Sequence, residues 1–147
     1  LDDYGKTGTA IDAQVSDQLI RNIFFKNSPL HDGAMIIRDD RIAAAGCVLP
    51  LSSNEKLPPE LGTRHRAGVG MSEATDALVV IVSEESGDIS VAKGGMLKRS
   101  LEVATLDRLL RQELCDNTQE QPENHFPAQM LKKLSDKAKE SDGYGKK

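Results

Sequence analysis

Seven residues, Ser28-Pro29-Leu30-His31-Asp32-Gly33-Ala34, constrain the backbone more tightly than any other stretch of the chain. Pro29 has no N–H to give to a ladder and drives Ser28 toward an extended conformation. Gly33 carries no Cβ, so another backbone or a ligand can come close. An imidazole and a carboxylate stand between them, and the apolar run Ala34-Met35-Ile36-Ile37 follows at once. The stretch reads as a polar, glycine-hinged lead into a buried strand, where α/β proteins tend to hold ligands. Asp-Gly is also a common turn dipeptide, so the local pattern admits either a site or a plain turn.

The surrounding pattern alternates helix and strand signals. Leu1 to Thr9 is rich in Asp, Gly and Thr and reads as loop. Ser16 is placed to cap a helix whose buried stripe is Leu19, Ile20, Ile23 and Phe24, ending near Lys26-Asn27. Ala34–Arg38 and Arg41–Leu49 form a hairpin about Asp39-Asp40, the second strand built from small residues. A proline-bearing loop, Pro50 to Leu61, leads to Thr63, which can cap a helix over Arg64 to Ala74. Gly68 and Gly70 lower that helix's propensity by about 1 kcal/mol each relative to Ala, so packing or a ligand must fix it. Ala77 to Ser83 is apolar on both faces and predicts a central strand covered on both sides. Asp88 to Lys93 returns as a hairpin strand, and Gly94-Gly95 breaks it. Ser100 caps a helix through Leu114, with Leu101, Ala104, Leu109 and Leu110 on its apolar face. Asp116 to Pro127 reads as a linker, Ala128 to Glu140 as a charged helix, and the end as disordered.

Composition excludes several classes. The 147 residues suit one domain, and with aromatics at 3% and no Trp the core must come from aliphatic residues. A net charge of −4 gives no surface for coating nucleic acid. A polyanionic ligand must therefore be held by a local cationic site. Cys47 and Cys115 form no disulfide framework or metal-binding spacing, which fits a reducing compartment. No apolar stretch approaches a membrane span and there is no signal peptide. The start at Leu1 rather than Met suggests a piece of a longer chain.

Three polar clusters sit at the ends of apolar elements: His31-Asp32-Gly33, Thr63-Arg64-His65-Arg66 and Ser83-Glu84-Glu85. The second offers cations, a hydroxyl and a helix N-terminus, which suit phosphates. The first and third offer imidazole and carboxylates, suited to a hard divalent cation bridging phosphate oxygens. Residues two apart on a helix point about 200° from each other, so Arg64 and Arg66 cannot grip one phosphate. Arg64, nearer the N-terminus, is the expected phosphate ligand, with Arg66 paired structurally. Strand alternation lets only one of Glu84 and Glu85 face the site. The plain alternative is a helix with surface arginines, a solvated Glu-Glu turn and a His65 packed locally. His125 lies in the linker with no nameable partner.

Asp32-Gly33-Ala34, followed at some thirty residues by Arg64-His65-Arg66 and then by Ser83-Glu84-Glu85, resembles the signature of diadenylate cyclases, the DAC domain. The resemblance covers about residues 1 to 114, is strong because the three segments come in order, and is nearest to the membrane-anchored cyclases of Gram-positive bacteria. It implies an α/β fold, a mixed central β-sheet flanked by helices in a single domain over 1–115. It also implies condensation of two ATP into cyclic di-AMP with release of two pyrophosphates, using Mg²⁺, Mn²⁺ or Co²⁺. By the match, Asp32 acts near the ribose 3′-hydroxyl as base or metal ligand, with Gly33 against the nucleoside. Asp32, Gly33 and Arg64 form the catalytic set. Gly33, Leu49 (through its backbone to adenine), Thr63, Arg64, His65, Ser83 and Glu84 contact ATP. His31, Asp32 and Glu85 engage the metal. Regulatory protein partners, a cytoplasmic catalytic domain and a membrane-embedded parent are further implications. Family members carry a strand and helix before the position of Leu1.

One set of clusters means one ATP site per chain, whereas cyclisation needs two hydroxyls attacking two α-phosphates. A two-fold dimer with facing sites satisfies both. The competing expectations are a nucleotide-binding sensor without chemistry and a structural domain whose clusters are turns.

Overall fold

The computed structural model describes residues 1–115, and the expected linker, charged helix and tail lie outside the described residues. In chain order the elements are α1 (Asp2–Gly5), β1 (Thr9–Gln14), α2 (Asp17–Ile23), β2 (Ala34–Arg38), β3 (Arg41–Cys47), α3 (Thr63–Ala74), β4 (Val79–Val82), β5 (Ile89–Lys93), β6 (Met96–Leu101) and α4 (Val103–Cys115). The chain divides into two units, Leu1–Leu101 and a second beginning at Glu102.

The α/β class is as expected. The ladders form two antiparallel sheets of three, β1-β3-β2 and β4-β5-β6, rather than one mixed sheet. In the first, Arg38 pairs with Arg41 across a two-residue turn. Asp39 and Asp40 both take positive φ, 51° and 59°, the mirror-image turn whose twist suits a hairpin. Ile42 and Ala45 of β3 meet Ile23, Leu19 and Ile20 of α2, while Ala44 and Cys47 meet Ile36 and Tyr4. The central strand thus buries both faces, as its small side chains allow. Ser16 caps α2 by accepting from the Leu19 N–H at 3.1 Å. The helix stops at Ile23, earlier than its apolar spacing suggests, and Phe24 is exposed rather than buried. The strand β1 fell in a stretch read partly as loop. Its alternation is broken by a bulge at Asp12, at φ 50°, whose carboxylate accepts from Arg41 Nε at 2.7 Å.

The second sheet corrects two expectations. Ile81 is buried against Val69 and Ala92, but Val80 and Val82 are 43% and 47% exposed. Among the described residues β4 is an outer strand covered on one face, and β5, with Ser90, Val91 and Ala92 buried, is central. An apolar run measures how much can be buried; only the cover actually present decides how much is. The second correction is β6. Gly94 and Gly95, at φ 56° and 80°, join Lys93 to Met96 as a two-residue hairpin turn. They turn the strand back rather than end the sheet. Pairing then runs to Leu101, so α4 begins at Val103 and Ser100 is no cap.

The helix α3 is held by close approach. A Cβ on Gly70 would lie 2.1 Å from the Pro50 carbonyl oxygen and 2.7 Å from the Ser52 nitrogen. A Cβ on Gly68 would meet the Ile81 side chain at 2.5 Å. Packing therefore compensates the poor propensity of this glycine-rich helix. Gly70→Ala forces backbone apart and is expected to cost about 1–3 kcal/mol. Gly68→Ala presses on a movable side chain and gains about 1 kcal/mol of helix propensity, so it should cost less. Urea midpoints of the two variants check the order.

Candidate functional site

The start of α3 presents backbone donors without a side-chain cap, chemistry that suits an anion. Gly62 stands at the N-cap with no side chain to offer, and Thr63 occupies the first helical position with its side chain exposed. The expected Thr63 cap is therefore replaced by Gly62. The first-turn N–H groups of a helix have no intrahelical acceptor, and here no capping side chain covers them. Arg64 lies one residue further in. Its Nη2 donates to Glu84 Oε1 at 2.6 Å and its Nη1 to the Val82 carbonyl at 3.2 Å. The second and third clusters are thereby one constellation. Arg64, not Arg66, carries the ion pair; among the described residues Arg66 has none.

The β4–β5 connection is an organised turn. Ser83 N donates to Asp88 O at 2.9 Å, Gly87 N to Ser83 O at 3.0 Å, and Ser86 N to Ser83 Oγ at 3.3 Å. The plain reading of this segment as a turn holds for its backbone. Its side chains divide as strand alternation suggests, with Glu84 reaching Arg64 and Glu85 exposed. The Arg64–Glu84 pair is itself open to solvent, at 39% and 65% side-chain exposure. Such a pair adds little to stability, which leaves the guanidinium free to exchange one anion for another.

The first cluster leads into β2. His31 Nδ1 lies 2.7 Å from the Ser28 carbonyl, and Asp32 is exposed. Gly33, at φ 130°, packs on β3: a Cβ there would lie 2.7 Å from the Gly46 carbonyl carbon. Any side chain at this position is excluded twice, by φ and by space. No hydrogen bond or ion pair joins Asp32 to the Arg64–Glu84 pair among the described residues.

A segment running from the end of the expected strand, Gly46 to Leu49, into the expected loop at Pro50 connects the two. The chain from Gly46 to Ser52 touches Gly33 at one end and Gly70 of α3 at the other. Ser52 N donates to the Arg66 carbonyl at 2.9 Å, and Ser52 Oγ to Glu73 at 2.9 Å. Leu49 lies between these anchors. Six peptide steps span at most about 22 Å, so the strap bounds the distance between its two anchors. The signal for it was Gly70 itself, a glycine inside a helix where something must come close.

For a metal, no three His, Cys, Asp or Glu side chains converge among the described residues. Mg²⁺ commonly takes one or two carboxylates and completes its shell with substrate phosphates and water. Asp32 and Glu85 are exposed carboxylates, the donor type such an ion takes.

His65 faces inward, with Nε2 3.4 Å from Ser90 Oγ. Burial, and then the charge of Arg99, lowers its pKa below the ordinary 6.5. The geometry places it among packing residues. As pH falls below 6.5 the unfolded chain takes up this proton before the folded one, so stability is lost across that window. His65→Gln should flatten the decline of the urea midpoint between about pH 7 and pH 5, as the difference in proton uptake requires.

Comparison with known proteins shows the family. The family model described as DAC, DisA bacterial checkpoint controller nucleotide-binding, matches residues 1–97. Cyclic di-AMP synthase CdaA of Bacillus subtilis (strain 168) is 50% identical over 126 residues, 86% of this chain and 46% of that protein. A diadenylate cyclase of Listeria monocytogenes (strain 10403S) is 49% identical over 122 residues, 83% of this chain and 45% of that protein. The chain spans about half the length of these curated relatives. The crystal structure of DacA from Staphylococcus aureus, a double mutant, superposes with a TM-score of 0.74 at 51% identity, covering 76% of this chain and 75% of that one. A matching family model over most of the sheets and helices described, together with a solved relative of the same shape and half the same residues, makes this chain a member of the DAC family.

Proposed function

We propose that the chain is the catalytic domain of a diadenylate cyclase, condensing two ATP into cyclic di-AMP with release of two pyrophosphates. The names carried by its relatives support this reading. The observation that carries it is Arg64, set at the uncapped start of α3 and held by an exposed carboxylate that a phosphate can replace. The triphosphate lies on the α3 N-terminus, with Thr63, Arg64 and Ser83 toward its oxygens. The adenosine reaches along the strap, where Leu49 offers its backbone to adenine and Gly33 its open face. Asp32 then stands near the ribose 3′-hydroxyl. Mg²⁺, Mn²⁺ or Co²⁺, where bound, neutralises phosphate charge, with His31, Asp32 and Glu85 as the protein's donors.

In each of two steps a 3′-hydroxyl oxygen attacks the α-phosphorus of the other nucleotide. The bond to pyrophosphate breaks and the hydroxyl proton passes to a base, the role we give to Asp32. A chain with one ATP site presents one hydroxyl and one α-phosphate, so a face-to-face homodimer completes the reaction. Holding the two nucleotides in line supplies most of the acceleration, up to about 7–11 kcal/mol, and Arg64 stabilises the departing pyrophosphate. Among the described residues no helix is long and apolar enough to cross a membrane. The domain is proposed to work in the cytoplasm, where ATP is, as part of a membrane-anchored parent and under protein regulators.

Incubation with ATP and Mn²⁺, followed by chromatography, should yield cyclic di-AMP; bound but unaltered ATP would make the chain a sensor. Asp32→Asn should abolish turnover while calorimetry still detects binding of a non-hydrolysable ATP analogue. Arg64→Ala loses a charge-assisted hydrogen bond worth about 1.5–3 kcal/mol and should weaken that binding by about tenfold or more. Full activity in either variant removes the role given to that residue. Specific activity should rise with enzyme concentration; strict proportionality down to concentrations where sizing shows only monomer excludes the dimer.

A further inference from the structure

The turn before β2 fixes more than the backbone. Ser28 is anchored from every polar atom it has. Its N–H donates to the Phe25 carbonyl at 2.9 Å and its Oγ to the Ile23 carbonyl, at the end of α2, at 2.8 Å. Its own carbonyl accepts twice from His31, from the backbone N–H at 3.2 Å and from ring Nδ1 at 2.7 Å. A carbonyl oxygen has no proton to give, so Nδ1 must be the donor. The neutral ring then carries its proton on Nδ1 and keeps its only lone pair on Nε2. Among the described residues that Nε2 has no partner. This is the tautomer opposite to the one an unconstrained imidazole favours in water, so the protein is selecting it.

We propose that Ser28 is a positioning residue: it locks His31 in the Nδ1–H form and aims a bare Nε2, beside Asp32, at the cation carried by the triphosphate. The chemistry is that of a histidine whose second nitrogen is tied to a carbonyl, an arrangement that orients the ring and makes the free nitrogen a better donor. Exposed Asp32 next in sequence supplies a hard oxygen at the same edge of the sheet. The proposal rests on the cyclase reading for the identity of the cation, but the tautomer is a property of the unliganded chain.

Histidine ring nitrogens report their protonation directly in two-bond ¹H–¹⁵N correlation spectra. In the ¹⁵N-labelled chain without nucleotide, at about pH 8, above the ordinary histidine pKa, His31 should show a protonated Nδ1 and a bare Nε2. The signal is assigned by its loss in His31→Asn. An Nε2–H pattern overturns the proposal. Ser28→Ala should blur the pattern toward exchanging tautomers, and a spectrum identical to that of the unaltered chain overturns the assignment to Ser28. A second measurement does not depend on that variant folding. Asn places an amide near Nδ1, whereas Gln places one near Nε2. With a non-hydrolysable ATP analogue present, Mn²⁺ affinity read by electron paramagnetic resonance should fall about tenfold or more in His31→Asn, on the scale of lost metal-site partners. It should fall by less than that in His31→Gln, and the reverse order overturns the proposal. A wrong tautomer with cyclic di-AMP still made defeats this inference alone; the right tautomer with no product defeats the cyclase reading alone.

Discussion

Gly70 lies so close to the Pro50–Ser52 backbone that no methyl group fits between them. Much else follows from that contact. It seats α3 on a strap of main chain, where Ser52 N can reach the Arg66 carbonyl and Ser52 Oγ can reach Glu73. Gly68 lets the same helix settle on Ile81 of the second sheet. With the helix body held on both sides, its first turn is left to project Arg64 toward Val82 and Glu84. A helix of low intrinsic propensity is thus tolerated because its glycines are contact surfaces. Backbone meeting backbone is also stiffer than side chain meeting side chain, which suits a site whose contribution is positioning.

Electrostatically the site is modest. The chain is net negative, and the cation that matters is already paired with a solvent-exposed carboxylate. An exposed pair of this kind holds a guanidinium in place without binding it strongly. Arg64 is therefore pre-oriented at low cost, its fork of donors held by the Val82 carbonyl and the Glu84 carboxylate.

Much of this was legible in the residues. The Asp39-Asp40 hairpin and the Ser16 cap stand where their chemistry suggests, and the second and third polar clusters meet through Arg64 and Glu84. The misses share a cause. For β1, a bulge at Asp12 hides the two-residue alternation that identifies a strand. For β6, Gly94-Gly95 gives the same local signal whether it ends a sheet or turns it back, and only the partner strand decides. The apolar run of β4 shows capacity for burial, while its one-sided cover is a matter of tertiary arrangement. Choosing between Arg64 and Arg66 for the ion pair went wrong for a similar reason. The choice depends on where the β4–β5 turn lies relative to the helix, which no local pattern encodes.

The contact between Gly33 and Gly46 has a consequence for how such a chain can drift in sequence. Both residues hold positive φ, but only Gly33 is closed by space: a Cβ there would lie 2.7 Å from the Gly46 carbonyl carbon, whereas one on Gly46 would meet only Leu30, its side chain at 3.4 Å. A side chain on Gly33 is blocked by clash, while Gly46 is held only by its φ of 66°, a conformation that asparagine or aspartate can also adopt. The constraint is therefore one-sided: Gly46 has room to change while Gly33 keeps its place only as glycine.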